Sequence, residues 1–368
     1  MIGTFSAFAA GGFLAAQFAS SALFAARLRR ASLPRGVIGK PKIDLIRPVC
    51  GLDPFDRETL ASSFLQDYPD YEIIFCAPTE TDPAVPVVRE LIAQYPDVRA
   101  QLLIGLDPIT GNPKLNNLQK GVAASHAPYL CMADSNLLLP INYLSDLAAS
   151  WGANTGLVSS PPIGTRPANL GGHLECAFLN SNQARLQFAS DSIGNGFAQG
   201  KTLFWCRAGL DAAGGMRALG RHLAEDVTAT KVTRESGKVV SLTNLPFEQP
   251  IGARTIHQVW DRQLRWSRVR RDGFPAIFAI EFMNGGCFAF ALLALAVQIL
   301  GLSPLVWPAY VVLWYLPEVW LMRRAGWPAR GPDVIALPLR DVMMLAIWVA
   351  TFAQRGIAWR GNQMTVPE

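Results

Sequence analysis

The chain has 368 residues, half of them hydrophobic and only 17% charged, and its 33 basic against 28 acidic side chains leave a formal net charge of +5. This balance excludes a disulfide-stabilised miniprotein, a collagen and a disordered tail. The mean hydropathy of +0.21 suits a membrane protein that also carries a water-facing domain. The cysteines, Cys50, Cys76, Cys131, Cys176, Cys206 and Cys287, are widely spaced with no C-x-x-C pair, the pattern of buried free thiols facing a reducing compartment.

Residues 2–26 carry no charge, and a hydrocarbon core about 30 Å thick needs roughly 20 helical residues to cross it. Arg27, Arg29 and Arg30 follow at once, whereas a cleavable signal peptide carries its charge before the apolar core. An uncleaved anchor over 1–30 is expected, with its carboxyl end in the cytosol.

Over 40–253 the pattern changes to short β-branched segments between amphipathic ones. Expected strands are Ile43 to Val49, Tyr71 to Ala77, Val98 to Ile104, Tyr129 to Asp134, Gly156 to Ser159, Thr202 to Cys206 and Val239 to Leu242. Strands separated by helices imply an α/β domain with a mostly parallel sheet, which binds ligands outside the carboxyl ends of its strands. Asp53, Asp82 and Asp134 each follow an expected strand and should converge there. For Asp53 and Asp82, each before a proline, helix capping is an equal alternative. Asp134 closes an apolar run and precedes Ser135-Asn136, so oxygen ligands emerge together from the core. Such a set, Asp134 with Asn136, suits Mg²⁺ or Mn²⁺ bridging a diphosphate.

Glu225-Asp226 precedes a helical run from Val227 to Arg234. The pair can cap that helix, and a carboxylate held there also suits a general base. Gly200-Lys201-Thr202 is not a P-loop, because Asn195 stands where that motif requires glycine. The four histidines lack any zinc spacing.

Over 254–274 basic residues interleave with aromatics, and Arg262, Arg265 and Trp266 fall on one helical face. Guanidinium forks match phosphate. The same pattern serves a juxtamembrane helix, a better account than nucleic acid because an apolar region adjoins it. From Phe282 to Pro317 no residue is charged, and Gly301, Pro304 and Pro308 divide the run into two crossings near 276–300 and 304–321, a transmembrane hairpin within 275–322. Arginines at both ends place them on the cytosolic side. A last apolar run, Val342 to Gln354, is flanked by Arg340, Asp341, Arg355 and Arg360, and within 333–368 an interfacial or re-entrant helix is expected rather than a further crossing.

The chain resembles the ceramide glucosyltransferases, membrane-bound relatives of the family 2-like inverting glycosyltransferases. The likeness rests on Arg47-Pro48-Val49-Cys50-Gly51-Leu52-Asp53-Pro54, on Asp67-Tyr68-Pro69 with Tyr71-Glu72, on Thr81-Asp82-Pro83-Ala84 and on Asn112-Pro113-Lys114-Leu115-Asn116-Asn117-Leu118. Asp134-Ser135, Ala224-Glu225-Asp226 and Arg262-Gln263-Leu264-Arg265-Trp266 complete it in the family's order. The resemblance implies a GT-A (Rossmann-like) nucleotide-sugar domain between amino- and carboxyl-terminal membrane helices. It further implies UDP-glucose as donor, the primary hydroxyl of ceramide as acceptor and β-glucosylceramide as product. By the same resemblance Asp53, Asp82, Lys114 and Asp134 would bind the donor, Asp134 would reach the cation and Asp226 would be the base; Asn136, the second oxygen ligand read from the residues, stands where many relatives have an acid or a glycine. Glu225, Arg262, Arg265 and Trp266 would line the acceptor or diphosphate site. UDP-glucuronate or UDP-N-acetylglucosamine as donor, and a hopanoid as acceptor, fit the same mechanism. A non-catalytic nucleotide-sugar-binding scaffold is the alternative of another class. The alanine-rich anchor and compact length suggest a bacterial inner-membrane protein with its catalytic domain in the cytosol, and the sequence leaves the oligomeric state open.

Overall fold

The computed structural model describes residues 1–29 and 36–353, together with the backbone of 357–359 and 362–364. Arg30, Gln354, Arg355 and Arg360, used above as flanking markers, lie outside the described residues. The described residues form two compact units, one within 1–30, 164–192 and 251–355, the other within 31–163, 193–250 and 356–368.

The second unit is built on seven strands: β1 (Ile43–Pro48), β2 (Tyr71–Ala77), β3 (Ala100–Ile104), β4 (Tyr129–Ala133), β5 (Thr155–Ser159), β6 (Thr202–Cys206) and β7 (Val239–Leu242). These are the seven strands expected from the sequence, with ends moved by a residue or two. Their order is β3-β2-β1-β4-β6-β5-β7. Pairings among β1, β2, β3 and β4 are parallel, as is that of β5 with β7. β6, however, lies antiparallel to both β4 and β5. A mostly parallel sheet was expected, and this one reversed strand has consequences for the site.

The central strands are apolar on both faces because helices cover both. Ile46, Leu130, Met132 and Trp205 pack beneath the Pro113–Ala124 helix on one side. Leu45, Cys131 and Phe204 meet Tyr143 and Leu147 of the Tyr143–Ala149 helix on the other. Burying side chains of this size contributes roughly 1.5–3 kcal/mol each. Cys76 and Cys131 are buried free thiols and burial pushes both up to about 12, whereas Cys50 and Cys206 are only partly covered.

The other unit gathers apolar helices. Ile2–Arg29 and Gly331–Thr351 are the two among the described residues that are long and apolar enough to cross a membrane. The second is longer than the run expected over 342–354. Arg340 and Asp341 bound that apolar run in sequence, yet the Arg340 guanidinium reaches Asp341 Oδ1 at 2.7 Å and Glu318 Oε2 at 2.7 Å, all three side chains being buried. Charges that neutralise one another this way permit a helix to continue through an apolar surrounding. The first arm of the expected hairpin is shorter than 276–300: the Pro275–Ala279 helix ends before a turn at Glu281–Met283, and Gly286–Leu300 follows. The turn is pinned by Glu281 on Arg270 Nε at 2.9 Å and by Asp341 Oδ2 accepting from the Gly286 amide at 2.8 Å. The second arm is Val306–Arg324.

Residues 164–192 fall inside the 40–253 span expected for the water-facing domain but group with the apolar helices. Leu174 and Phe178 pack with Val259 and Ile347, and Phe188 stacks on Phe24 at 4.6 Å between ring centres. Their apolar face finds its partners in that unit.

Candidate active site

The site grows from the loops that follow β1, β2 and β4. After β1 the chain turns at Gly51, whose φ of +70° is a conformation that favours glycine. The Gly51 amide donates to both carboxylate oxygens of Asp82 at 3.0 Å, and Asp82 Oδ1 also accepts from the Ala84 amide at 2.9 Å. Asp82 therefore ties the loop after β2 to the loop after β1 and accepts from the first amide of the helix Ala84–Gln94. Asp53 is partly exposed on the β1 loop, and its amide donates to Asp56 Oδ2 at 2.9 Å.

The Asn112–Leu118 motif divides its work. Asn112 is the N-cap of the Pro113–Ala124 helix, accepting from the Lys114 amide at 2.9 Å, and Pro113 occupies a first-turn position that needs no amide hydrogen. Asn116 Oδ1 accepts from the Ile109 and Thr110 amides and holds the preceding loop. Asn117 Nδ2 donates to the carbonyls of Cys76 at 2.8 Å and Val49 at 3.2 Å, at the ends of β2 and β1. Lys114 is left to point into the site. Its ammonium donates to Gly200 O at 2.7 Å and Glu225 Oε1 at 2.6 Å, and pairs with Asp134 Oδ1 at 2.7 Å. Asn112 Nδ2 meets the other Glu225 oxygen at 3.1 Å. The start of one helix is thus fastened to the start of another, Glu225–Glu235.

Asp226 opens that second helix. Its Oδ2 accepts from the Gly200 amide at 2.9 Å and its Oδ1 from the Val227 amide at 2.8 Å. Burial, reinforced by the Glu225 charge, pushes the Asp226 carboxyl up to about 6 despite these amides and the nearby Lys114. Glu225 is committed to Lys114 and Asn112, so Asp226 is the member of the pair placed to exchange a proton. Gly200 makes the approach possible: a Cβ there would lie 2.7 Å from Glu225 Oε1.

Asp134 follows β4, where Arg47 sets its backbone. Arg47 is fully buried and donates to the carbonyls of Asp134, Ser135, Leu137 and Thr59 at 2.7–3.0 Å and to Ser63 Oγ at 2.8 Å. Burial lowers its guanidinium to about 10. Burial alone would raise the Asp134 carboxyl, but the Lys114 and Lys201 ammoniums outweigh it and hold that group far below the usual carboxylate range. Lys201 Nζ lies 3.0 Å from Asp134 Oδ2 and 2.8 Å from Asn136 Oδ1.

One unit therefore brings Lys114, Asp134, Asn136, Glu225 and Asp226 into a connected cluster, with Asp82 and Asp53 on the neighbouring loops. Arg262, Arg265 and Trp266 belong to the other unit, on the helix Ile256–Gly273. There Arg262 donates to the buried Glu175 at 2.8 Å, and Trp266 packs on Cys176, Leu179 and Ile251. Sequence reasoning missed Lys201, Arg47 and Asn112 as members of the site. Arg47 and Asn112 stood within quoted motifs, and an unpaired arginine in a buried strand was the available signal. Lys201 had no local signal, because only the antiparallel run of β6 sets it beside Asp134.

Asp134 Oδ2 and Asn136 Oδ1 face one ammonium, that of Lys201, while Asp134 Oδ1 faces Lys114. The oxygen donor types fit a hard divalent ion. No group of three or more Asp, Glu, His or Cys that could hold a metal occurs among the described residues, so diphosphate oxygens would have to complete such a shell.

The family model described as Glycosyl transferase family 21 matches residues 7–368. The chain is 27% identical over 263 residues to ceramide glucosyltransferase 1 of Caenorhabditis elegans, covering 71% of this chain and 56% of that protein. It is 25% identical over 333 residues to ceramide glucosyltransferase 3 of the same organism, covering 88% of this chain and 72% of that protein. The chain thus spans little more than half the length of the first of these relatives. Among solved structures, a mannosyltransferase from Pyrobaculum calidifontis in complex with GDP-Man and Mn²⁺ superposes with a TM-score of 0.50 at 16% identity, over 93% of this chain and 99% of that one. The fold is accordingly GT-A.

Proposed function

The chain belongs to glycosyl transferase family 21, and on that footing we propose that it is a membrane-bound inverting hexosyltransferase moving glucose from UDP-glucose to the primary hydroxyl of ceramide. The observation that carries the chemistry is the buried Asp226 carboxyl, pushed up to about 6 and free of the ion pairs that occupy Glu225. A base with that affinity is largely ionised at neutral pH yet takes a proton readily. Each Asp226 oxygen accepts one backbone amide and keeps a lone pair for the acceptor hydroxyl. The resulting alkoxide oxygen attacks the anomeric carbon from the face opposite the nucleotide, and configuration inverts.

The departing diphosphate gathers charge as its bond breaks, so fixed cations favour the transition state over the ground state. Lys114 supplies one such charge, and Glu225 and Asn112 keep it in place. A divalent cation held by Asp134 and Asn136 would supply further neutralisation there. Asp53 and Asp82 shape the loops assigned to the uridine. Arg262, Arg265 and Trp266 are assigned to the acceptor or diphosphate side. The apolar helices anchor the chain in a bilayer from which a two-chain lipid substrate leaves only at high cost. By the excess of arginine flanking them, the catalytic unit faces the cytosol.

The test is to incubate membranes containing the chain with UDP-glucose, UDP-glucuronate or UDP-N-acetylglucosamine and either ceramide or a hopanoid polyol, followed by mass spectrometry of the lipid extract. Hexosylceramide formed from UDP-glucose is expected. Product from the hopanoid alone, or with another sugar alone, would replace the assigned substrates; binding of UDP-sugars with no lipid product would favour the scaffold.

A further inference from the structure

We propose that Lys201 is a tethered counter-ion that competes with the divalent cation for Asp134 and Asn136, so that the cation and the nucleotide diphosphate bind this chain as a pair. This rests on the reading of the cluster as a nucleotide-sugar site.

The geometry is specific. A single ammonium bridges the two oxygens, Asp134 Oδ2 at 3.0 Å and Asn136 Oδ1 at 2.8 Å, while the second Asp134 oxygen is taken by Lys114 at 2.7 Å. Lys201 is placed there by the fold and not by the reach of a flexible chain alone. Its carbonyl accepts from the Asp134 amide at 3.1 Å, and the antiparallel register sets Thr202 opposite Ala133 immediately beyond. The lysine side chain is 12% exposed, so the ammonium is shielded from competing water.

Charge then decides what can bind. In the nucleotide-free cluster each lysine is engaged by carboxylate, Lys114 by Asp134 and Glu225 and Lys201 by Asp134, and Asp226 adds a further negative charge when ionised. A lone divalent ion must displace one ammonium from the Asp134–Asn136 oxygens and remain beside two positive side chains. A lone diphosphate meets lysines already engaged by carboxylates. When both arrive, the ion takes the Asp134–Asn136 oxygens, the released Lys201 charge faces the diphosphate, and the added charges largely cancel. Each ligand should therefore raise the affinity of the other, by the same factor in both directions.

The experiment titrates MnCl₂ into the full chain in lipid nanodiscs, reading free Mn²⁺ by electron paramagnetic resonance, with and without saturating UDP. For the wild-type chain UDP is expected to tighten Mn²⁺ binding at least tenfold. Lys201→Met, which keeps the side-chain length and removes the charge, should bind Mn²⁺ at least tenfold more tightly than wild type without UDP and show correspondingly less coupling. Lys201→Gln provides the same comparison should the methionine variant fold poorly, and Lys201→Arg should behave as wild type. Unchanged or weaker Mn²⁺ binding by the folded neutral variants without UDP overturns the competition while leaving the nucleotide-sugar reading in place. Failure of the wild-type chain to bind UDP overturns both, and binding of UDP with no effect on Mn²⁺ overturns the pairing of the two ligands.

Discussion

At the scale of single residues, the acidic pair separates into two jobs. Glu225 is bound on both oxygens by side chains of the Asn112 motif, whereas Asp226 receives only backbone amides and is buried beside a like charge. In the proposed mechanism the Asp226 base must be ionised to act, so kcat/KM should fall as pH drops through about 6 and level off above it. Asp226→Asn should abolish hexosyl transfer while retaining UDP binding. It should also stabilise the fold. A carboxyl raised from its ordinary value disfavours the folded state once the pH exceeds the unfolded value, a penalty that grows up to the folded value near 6 and is relieved on acidification. Removing that ionised group should gain about 1–3 kcal/mol at neutral pH, seen as a higher melting temperature in detergent that converges with wild type as pH falls toward 4. A variant that melts lower than wild type at pH 7.5 would show that the carboxylate is structurally required.

At the scale of elements, three connections hold the cluster: the Arg47 grip on the β4 loop, the Asn112 cap joined to Glu225, and Gly200 pressed against the acidic pair. Replacing Arg47 by methionine strands several buried carbonyls together, and each unsatisfied group costs about 1–3 kcal/mol. Arg47→Met should therefore unfold the sheet unit or lower its unfolding free energy by several kcal/mol, measured by urea-dependent tryptophan fluorescence. Gly200→Ala is a smaller change. The added methyl would meet Glu225 Oε1 at 2.7 Å, which disturbs both the Glu225 carboxylate that holds Lys114 and the Gly200 amide that donates to Asp226. Turnover should drop at least tenfold with little loss of stability, and unaltered kinetics would show that the pair shifts without consequence.

These connections also show what a linear reading could reach. The seven strands were legible because their β-branched runs are bounded by turn residues. The motif acids were legible as strand-end or helix-start residues. The pairing of Lys201 with Asp134 was not, since residues 67 positions apart in sequence meet only through an antiparallel strand inserted into a sheet whose alternating helices argue for parallel pairing. Had β6 run the other way, its far end at Cys206 would have been Asp134's neighbour.

At the scale of the whole molecule, the apolar unit accounts for the hydropathy and the sheet unit holds the candidate site. Helices Ile2–Arg29 and Gly331–Thr351 are long enough to span, and many large apolar side chains on these helices, among them Phe5, Phe8, Ile335 and Val349, are exposed. An exposed apolar area of that kind belongs in lipid. The protein should remain in the membrane pellet after alkaline carbonate extraction and be released by detergent; release by carbonate alone would remove the integral assignment.

The sequence by itself determined the strands, the membrane-facing character and the identities of the acids, because each follows from local periodicity, hydropathy and motif spacing. Tertiary structure alone decided that residues 164–192 join the apolar unit, that Arg340 and Asp341 lie inside a helix rather than at its edge, and that Lys201 shares its ammonium between Asp134 and Asn136. The physical reason is common to all three. A charge or an apolar face is satisfied by whatever partner the packed chain brings to it, and strand direction and helix packing choose that partner at distances along the chain that local pattern does not encode.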